Sequence, residues 1–299
     1  MLKLKNITVA YKDKKVLDEL SFYAEKGEII GVVAPNGTGK TTLFHVMANF
    51  IKPKSGEVIF NGKQKYTTEK AELSIHKHLS TFPDQSDLFN ELSGVDHLKL
   101  YGNMWKGSTK HIQEIIDYLQ MNDYVKRKVG TYSLGMRQRL CFAMMVATDT
   151  SIMLMDEVMN GLDVSNVELI SQRLIQMKKE QKLIFVASHL LENLDLYADR
   201  VIFLKDGTII HEQRLHEKSG LYIKIELKPE QYKTLKHKEN LPKEHVYIAD
   251  HLFCMPLDHL SYTEQTNWLQ TLLYYMDKEI TIGPLGTVEH YEKYYLDKE

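Results

Sequence analysis

Residues 34–42 read Ala34-Pro35-Asn36-Gly37-Thr38-Gly39-Lys40-Thr41-Thr42, an order of residue types that suits one chemistry. Glycines let successive backbone N–H groups close around anionic oxygens, the lysine reaches the outer phosphates, and the hydroxyl beside it faces Mg²⁺. The segment follows the apolar run Ile29 to Val33 and opens a helix-forming stretch from Lys40 to Ala48. That setting adds the positive end of a helix to the loop. The implied ligand is a nucleoside triphosphate with its Mg²⁺. The motif ordinarily begins with glycine where this chain has Ala34; Pro35 already biases the residue before it towards extended dihedrals, in which a methyl group is tolerated.

A second segment, Ser151 to Glu157, ends a buried-strand pattern with two carboxylates. Asp156 suits the Mg²⁺ shell and Glu157 the polarising of an attacking water; a helix cap would explain one such acid more readily than two. In a third segment, Tyr132 to Leu140, Ser133 and Gly135 precede an apolar helical run. They suit a second anion site at that helix N-terminus, and equally an ordinary serine cap. Cys141 lies inside the apolar run and reads as a small buried hydrophobe; Cys141 and Cys254 are the chain's two cysteines, which supports neither a disulfide framework nor a cysteine metal site.

The elements that must position these groups are legible as patterns. Leu2 to Val9 alternates, Lys15 to Phe22 follows, and Lys26-Gly27-Glu28 turns the chain into Ile29 to Val33. Ile152 to Met155 and Leu183 to Ala187 are short apolar strands with an amphipathic helix, Val167 to Lys179, between them. This is βαβ organisation. Residues from about 91 to 147 carry helical spacing, such as Ile112, Ile115, Ile116 and Leu119, and read as a helical insertion. Val201 to Leu204 and Thr208 to His211 flank Asp206-Gly207 as a hairpin that ends the first domain at 214. In the remainder, 215–299, Leu221 to Leu227 and Val246 to Met255 read as strands and Glu264 to Met276 as a helix. This small α+β domain holds nine of the 17 tyrosines and none of the triphosphate motifs.

Composition sets limits on function. With 299 residues, 43% hydrophobic and 26% charged, the chain has material for a sizeable core, which excludes wholesale disorder. Its 38 basic and 40 acidic residues give no field that would gather nucleic acid. No apolar run approaches the ~20 residues needed to cross a bilayer, and Met1 to Tyr11 carries no signal-peptide pattern.

The order of these segments resembles the ATP-binding subunit of an ABC transporter over residues 1–214. Ala34 to Thr42 is similar to the Walker A motif, Ile152 to Glu157 to Walker B with its catalytic glutamate, and Tyr132 to Met136 to a degenerate LSGGQ signature. Asn160-Gly161-Leu162-Asp163 resembles the D-loop, Ala187-Ser188-His189 the switch histidine, and Tyr11 the aromatic that stacks on adenine. The resemblance implies an α/β P-loop ATPase domain with an antiparallel β subdomain and a helical subdomain, here followed by the α+β domain. It implies Mg²⁺-dependent hydrolysis of ATP, with Glu157 and His189 catalytic and Asp163 at the nucleotide. It also implies a head-to-tail pair of ATP subunits, identical or not, in which Ser133 and Gly135 close over the partner's γ-phosphate. Partnership with a separate transmembrane permease at the cytoplasmic face of the membrane follows in the same way.

Departures mark the chain. Leu134 and Met136 replace signature glycine and glutamine, and Val158 and Met159 follow Walker B in place of proline and threonine. In Thr81 to Phe89 the family's metal-contacting glutamine position is taken by Asp84, with Gln85 next to it. The variant signature and separate C-terminal domain are most similar to exporters of bacitracin-like, lantibiotic or other amphipathic peptides, among them phenol-soluble modulin exporters. The sequence also bears on two other classes. A ribosome-acting soluble ATPase would carry tandem phosphate loops and a DNA-repair relative a long coiled coil; a nonhydrolysing regulatory subunit would be expected to lose Lys40, Glu157 or His189, and all three are present.

Overall fold

The computed structural model describes residues 1–12, 14–105, 111–217, 220–258, 260–275 and 279–297. They form two compact units, 1–213 and 214–299.

The first unit contains β1 (Leu2–Tyr11), β2 (Lys14–Ala24), β3 (Ile29–Val33), α1 (Lys40–Met47), β4 (Ser55–Phe60), α2 (Glu69–His76) and β5 (Leu79–Thr81). Helices α3 (Gly94–Met104), α4 (Ile112–Tyr118) and α5 (Leu134–Thr148) follow, then β6 (Ile152–Asp156), α6 (Val164–Lys179), β7 (Leu183–Ala187), α7 (Leu191–Tyr197), β8 (Arg200–Lys205) and β9 (Thr208–Arg214). Leu2 and Leu4 of β1 alternate into the core, and the expected alternation is then interrupted by a register shift at Asn6 (φ +50°) before Ile7 and Val9 also turn inward; the sheet is ordered β2-β1-β4 and antiparallel. A second sheet runs β5-β6-β7-β3-β8-β9. Its central strands β3 and β7 are buried at every residue, as parallel strands covered on both faces must be. Asp206 and Gly207, both at positive φ, make the tight turn from β8 to β9.

Register decides where the chemistry falls. Asp156 pairs with Ala187 and Ala187 with Val32, so β6, β7 and β3 end level with one another. The loop from Ala34, the carboxylate of Glu157 and the segment after Ala187 therefore emerge at one sheet edge, the carboxyl end at which open α/β sheets bind ligands.

Strands β4 and β5 and helices α2 and α7 have no counterpart in the sequence patterns. Only Val58 and Phe60 of β4 are buried, and β5 has three residues, so neither offers a run long enough to read. Helix α6 begins at Val164 and not Val167 because Asp163 caps it, accepting from Asn166 N–H at 2.9 Å.

The second unit contains β10 (Tyr222–Glu226), α8 (Pro229–Lys238), β11 (Val246–Ile248), β12 (Leu252–Pro256), α9 (Tyr262–Leu273), β13 (Ile280–Gly283) and α10 (Thr287–Tyr295). The sheet order β11-β12-β10-β13 is antiparallel throughout, which makes β10 to β13 a split βαβ arrangement. Ile223, Ile225, Phe253, Met255, Leu235 and Leu272 fill one core. Cys254, Ile248 and Leu285 pack together in a second, where Lys224 also pairs with Glu289 of α10. The single strand expected over Val246 to Met255 is two, because Ala249 and Asp250 turn the chain at positive φ. The helix expected from Glu264 begins at Tyr262, since Ser261 and Glu264 cap each other's backbone N–H; Met276, its expected end, lies outside the described residues. Cys141 and Cys254 are both buried, which pushes each thiol up to about 12. Among the described residues no helix is long and apolar enough to cross a membrane.

Candidate functional site

The loop after β3 is built to leave backbone donors open. Gly37 (φ +75°) and Gly39 (φ +111°) hold left-handed backbone, and a Cβ on Gly39 would stand 3.0 Å from Val16 Cγ1. A Cβ on Gly37 would meet nothing within 4 Å. Gly39 caps α1 without a side chain, so the first-turn N–H groups of that helix remain unoccupied by any cap. Thr38 Oγ1 donates to Pro35 O at 2.6 Å and closes the loop.

Lys40 is 7% exposed and curls back, its Nζ donating to Ala34 O at 2.6 Å and Pro35 O at 3.2 Å. Burial pulls its ammonium below the usual lysine range, against the opposing pull of Glu157 and Asp156. Beside it Thr41 Oγ1 donates to Asp156 Oδ2 at 2.8 Å. A hydroxyl and a carboxylate are the hard oxygen donors that Mg²⁺ takes from a protein, leaving its other positions for water and phosphate. Among the described residues no group of three or more His, Cys, Asp or Glu is placed to hold a metal ion.

Glu157 follows Asp156 in left-handed backbone (φ +53°), with its N–H donating to Ala187 O at 2.9 Å. Its Oε1 lies 2.8 Å from His189 Nε2, and its Oε2 is buried with no hydrogen-bond partner among the described residues. A buried carboxylate oxygen without a partner is costly unless a ligand or water meets it. Burial pushes the Glu157 carboxyl above the usual range; His189, Lys40 and the nearby Asn160 side chain pull it down, and Asp156 pushes it up.

Two adjoining clefts share Thr41, Asp156 and Glu157. One, about 460 Å³, is lined also by Tyr11, Val16, Asn36, Gly37, Gly39, Lys40, Thr42 and His189. The other, about 760 Å³, takes in Asp84, Gln85, Gln138 and Asn160. Half-exposed Tyr11 ends β1 at the rim of the first cleft. In the second, Asp84 is turned to accept from Ser86 N–H at 2.7 Å, and bonds from Ser86 hold its carboxyl below the usual range. Gln85 points instead to Gln138, donating from Nε2 to Gln138 Oε1.

Ser133, Gly135 and Asp163 line neither cleft. Ser133 caps α5, accepting from Met136 N–H at 3.3 Å, and Asp163 caps α6. A Cβ on Gly135 would lie 3.6 Å from Gly161 O, so the signature-like segment rests on the 160–163 loop of its own chain. Gln138 and Val16 are site residues that the motifs did not single out, whereas Asn160, the first residue of the D-loop-like segment, lines the second cleft. For Gln138 the sequence offered no signal beyond its place in the signature-like segment Tyr132 to Leu140.

Fold and cleft together define a P-loop nucleoside triphosphatase. The family model described as ABC transporter matches residues 17–160. The uncharacterized ABC transporter ATP-binding protein YhcH of Bacillus subtilis is 35% identical over 221 residues, 73% of this chain and 72% of that one. The lantibiotic transport ATP-binding protein SrtF of Streptococcus pyogenes is 28% identical over 213 residues, 71% of this chain and 90% of that one. Among solved structures, the dimeric structure of MJ0796, a bacterial ABC transporter cassette, superposes with a TM-score of 0.66 at 25% identity, covering 73% of this chain and all of that one. The chain belongs to the ATP-binding proteins of ABC transporters. It binds ATP with Mg²⁺ and hydrolyses it, and subunits of this kind pair and work with transmembrane subunits.

Proposed function

We propose that this chain drives export of an amphipathic, peptide-like substrate through a separate transmembrane permease, from the cytoplasmic face of the membrane, as one of two ATP subunits paired head to tail. The observation that carries the hydrolytic part is the convergence of two pairs, Thr41 with Asp156 and Glu157 with His189, on the carboxyl end of one sheet. The class of substrate rests on the likeness to SrtF, a lantibiotic transport protein by name.

Each residue takes a role that its surroundings support. The N–H groups of residues 36 to 42 bind phosphate oxygens, and the Lys40 ammonium leaves the Ala34 and Pro35 carbonyls for the outer phosphates. Tyr11 offers its ring to the adenine. Thr41 and Asp156 hold Mg²⁺, with Asp84 the loop group facing it; bound there, the cation screens the charge on the phosphate oxygens. Glu157 accepts a hydrogen bond from the attacking water through the oxygen that has no partner, while His189 fixes the other oxygen. Ser133 and Gly135 serve the site of the second subunit, which accounts for their distance from this chain's own cleft. Asp163 orders the loop between them. Residues 215–299 form an accessory domain for assembly.

Affinity capture of the tagged chain from detergent-solubilised membranes tests the reading. A polytopic membrane protein should copurify in stoichiometric amount, and its loss with the ATP subunit should make cells sensitive to an amphipathic peptide they otherwise export. Capture of ribosomes or of no membrane chain would overturn it.

A further inference from the structure

Gln138 sits on the second turn of α5, 3% exposed, and uses nearly all its hydrogen-bonding capacity. Its Nε2 donates to Glu157 O at 2.8 Å and to Val158 O at 2.9 Å, while its Oε1 accepts from Gln85 Nε2. Two carbonyl acceptors on one side dictate which end of the amide is nitrogen. Glu157 O accepts in addition from Asn160 N–H at 3.1 Å, and Glu157 N–H donates to Ala187 O. The peptide carrying the carboxylate is thus held at every polar atom.

That holding has work to do. Left-handed backbone is costly for a residue with a side chain, and it persists where the surroundings over-determine it. At Glu157 the peptide groups are held by two backbone partners and one side chain, Gln138, while His189 holds the carboxylate. Without that amide, Glu157 O and Val158 O each lose a donor, and the peptide gains a reason to rotate towards ordinary dihedrals. Rotation would swing the carboxylate away from His189.

We propose that Gln138 is a positioning residue for ATP hydrolysis, pinning the Glu157 peptide in its turn and tying it to the side chain of Gln85. The inference rests on the reading of Glu157 as the group that meets the attacking water. It adds a direct link, through one side chain, between the edge of the second cleft and the reacting centre. Asp84 has no part in it, being turned to Ser86.

The test uses the full-length chain, with turnover measured by phosphate release and Mg-ATP affinity by equilibrium titration. Gln138→Leu should lower kcat about 10-fold or more while KM and Kd for Mg-ATP stay within about 3-fold, since a small misplacement of a catalytic group is expensive and binding does not use it. In a Glu157→Gln background the same change should lower the residual single-turnover rate less than about 2-fold, because there is no carboxylate left to position. Gln85→Leu and Gln138→Leu together should cost less than the product of the two. Gln138→Glu is the second variant: at pH 8 its carboxylate repels both carbonyls, and towards pH 6 its rate relative to the parent should rise as a protonated acid regains one donor.

Undiminished kcat in the Gln138 variants, or an equal loss in both backgrounds, overturns the proposal. Should the leucine variant not fold, the glutamate variant compared in the two backgrounds decides by the same criterion. A Glu157→Gln protein with full turnover is a separate result that removes the underlying reading instead.

Discussion

Thr41 Oγ1 and Asp156 Oδ2, 115 residues apart in sequence, meet at 2.8 Å across the gap between the first turn of α1 and the end of β6. Two oxygen donors held this close can share one hard cation when the hydroxyl turns its lone pair outward. Thr41→Ala should therefore raise the Mg²⁺ concentration for half-maximal hydrolysis about 10-fold or more, with ATP affinity in the absence of Mg²⁺ nearly unchanged. A metal titration of turnover, paired with a nucleotide titration in chelator, separates the two effects. An unaltered metal requirement removes Thr41 from the cation shell.

Lys40 is the buried cation that lines the first cleft, and in the proposed reading its ammonium exchanges the Ala34 and Pro35 carbonyls for the outer phosphates. Lys40→Ala should weaken Mg-ATP binding about 10- to 100-fold, the size of a lost charge-assisted hydrogen bond in a partly dry site. Calorimetric titration checks this. Retained affinity would place the phosphates elsewhere in the cleft.

For Glu157 the shift in its carboxyl predicts opposite effects on rate and stability. The water-polarising role needs the ionised form, and burial holds the carboxyl above the usual range, so the acid limb of kcat should lie higher than for an ordinary glutamate. A carboxyl that binds its proton more tightly folded than unfolded stabilises fully below the unfolded pKa, and this stabilisation is lost as pH rises through the folded value. At neutral pH the ionised group is thus a liability. Glu157→Gln should lose turnover about 100-fold or more, keep Mg-ATP affinity, and raise Tm by about 1–3 °C. Phosphate release at the parent rate, or a lowered Tm, would count against it.

The sequence made the phosphate loop and both carboxylates legible because each is a local pattern at a strand end, where a parallel sheet exposes chemistry; His189 was reached only through the resemblance to the family, since one histidine after a strand carries no pattern of its own. That β6, β7 and β3 finish level is a property of register, which pairs Asp156 with Ala187 and Ala187 with Val32 and leaves no trace in any one segment. Gln138 escaped for the same reason: its partners, Glu157, Val158 and Gln85, come from two other stretches of chain. Strand β5 escaped because three residues carry no period. Ala249 and Asp250 hid the break between β11 and β12, being at positive φ without a glycine to announce it.

Asp84 and Gln85 are neighbours that face different partners, and their substitutions should separate accordingly. Asp84→Asn takes a negative charge from the second cleft and should raise the Mg²⁺ requirement about 3-fold or more at unchanged maximal rate. Gln85→Ala should leave the metal requirement alone and lower kcat. Metal titrations of both variants decide, and the reverse pattern would make Gln85 the group that faces the cation.

Residues 214–299 fold as their own compact unit with two small cores, so the first unit should survive their removal. Every residue lining the two clefts lies before 190, and the stretch from 215 to 299 offers 10 basic against 14 acidic residues, an unpromising surface for polyphosphate. Its split βαβ sheet instead ends in the short edge strand β13, where Ile282 is 59% exposed, and α9 leaves Tyr262 and Tyr274 more than four-fifths exposed. Exposed aromatics beside an open strand edge are features of a surface that meets another protein. Truncation after Arg214 should keep Mg-ATP affinity within about 3-fold while weakening self-association or copurification with the membrane subunit about 10-fold or more. If two paired subunits complete each other's sites, as proposed, the concentration dependence of hydrolysis should shift to higher protein concentration even though binding persists. Sedimentation of the full and truncated chains, with titration of nucleotide into each, measures both quantities; a truncated chain that pairs and assembles like the parent would deny the unit its role, and one that is folded yet does not bind ATP would move the boundary of the catalytic unit.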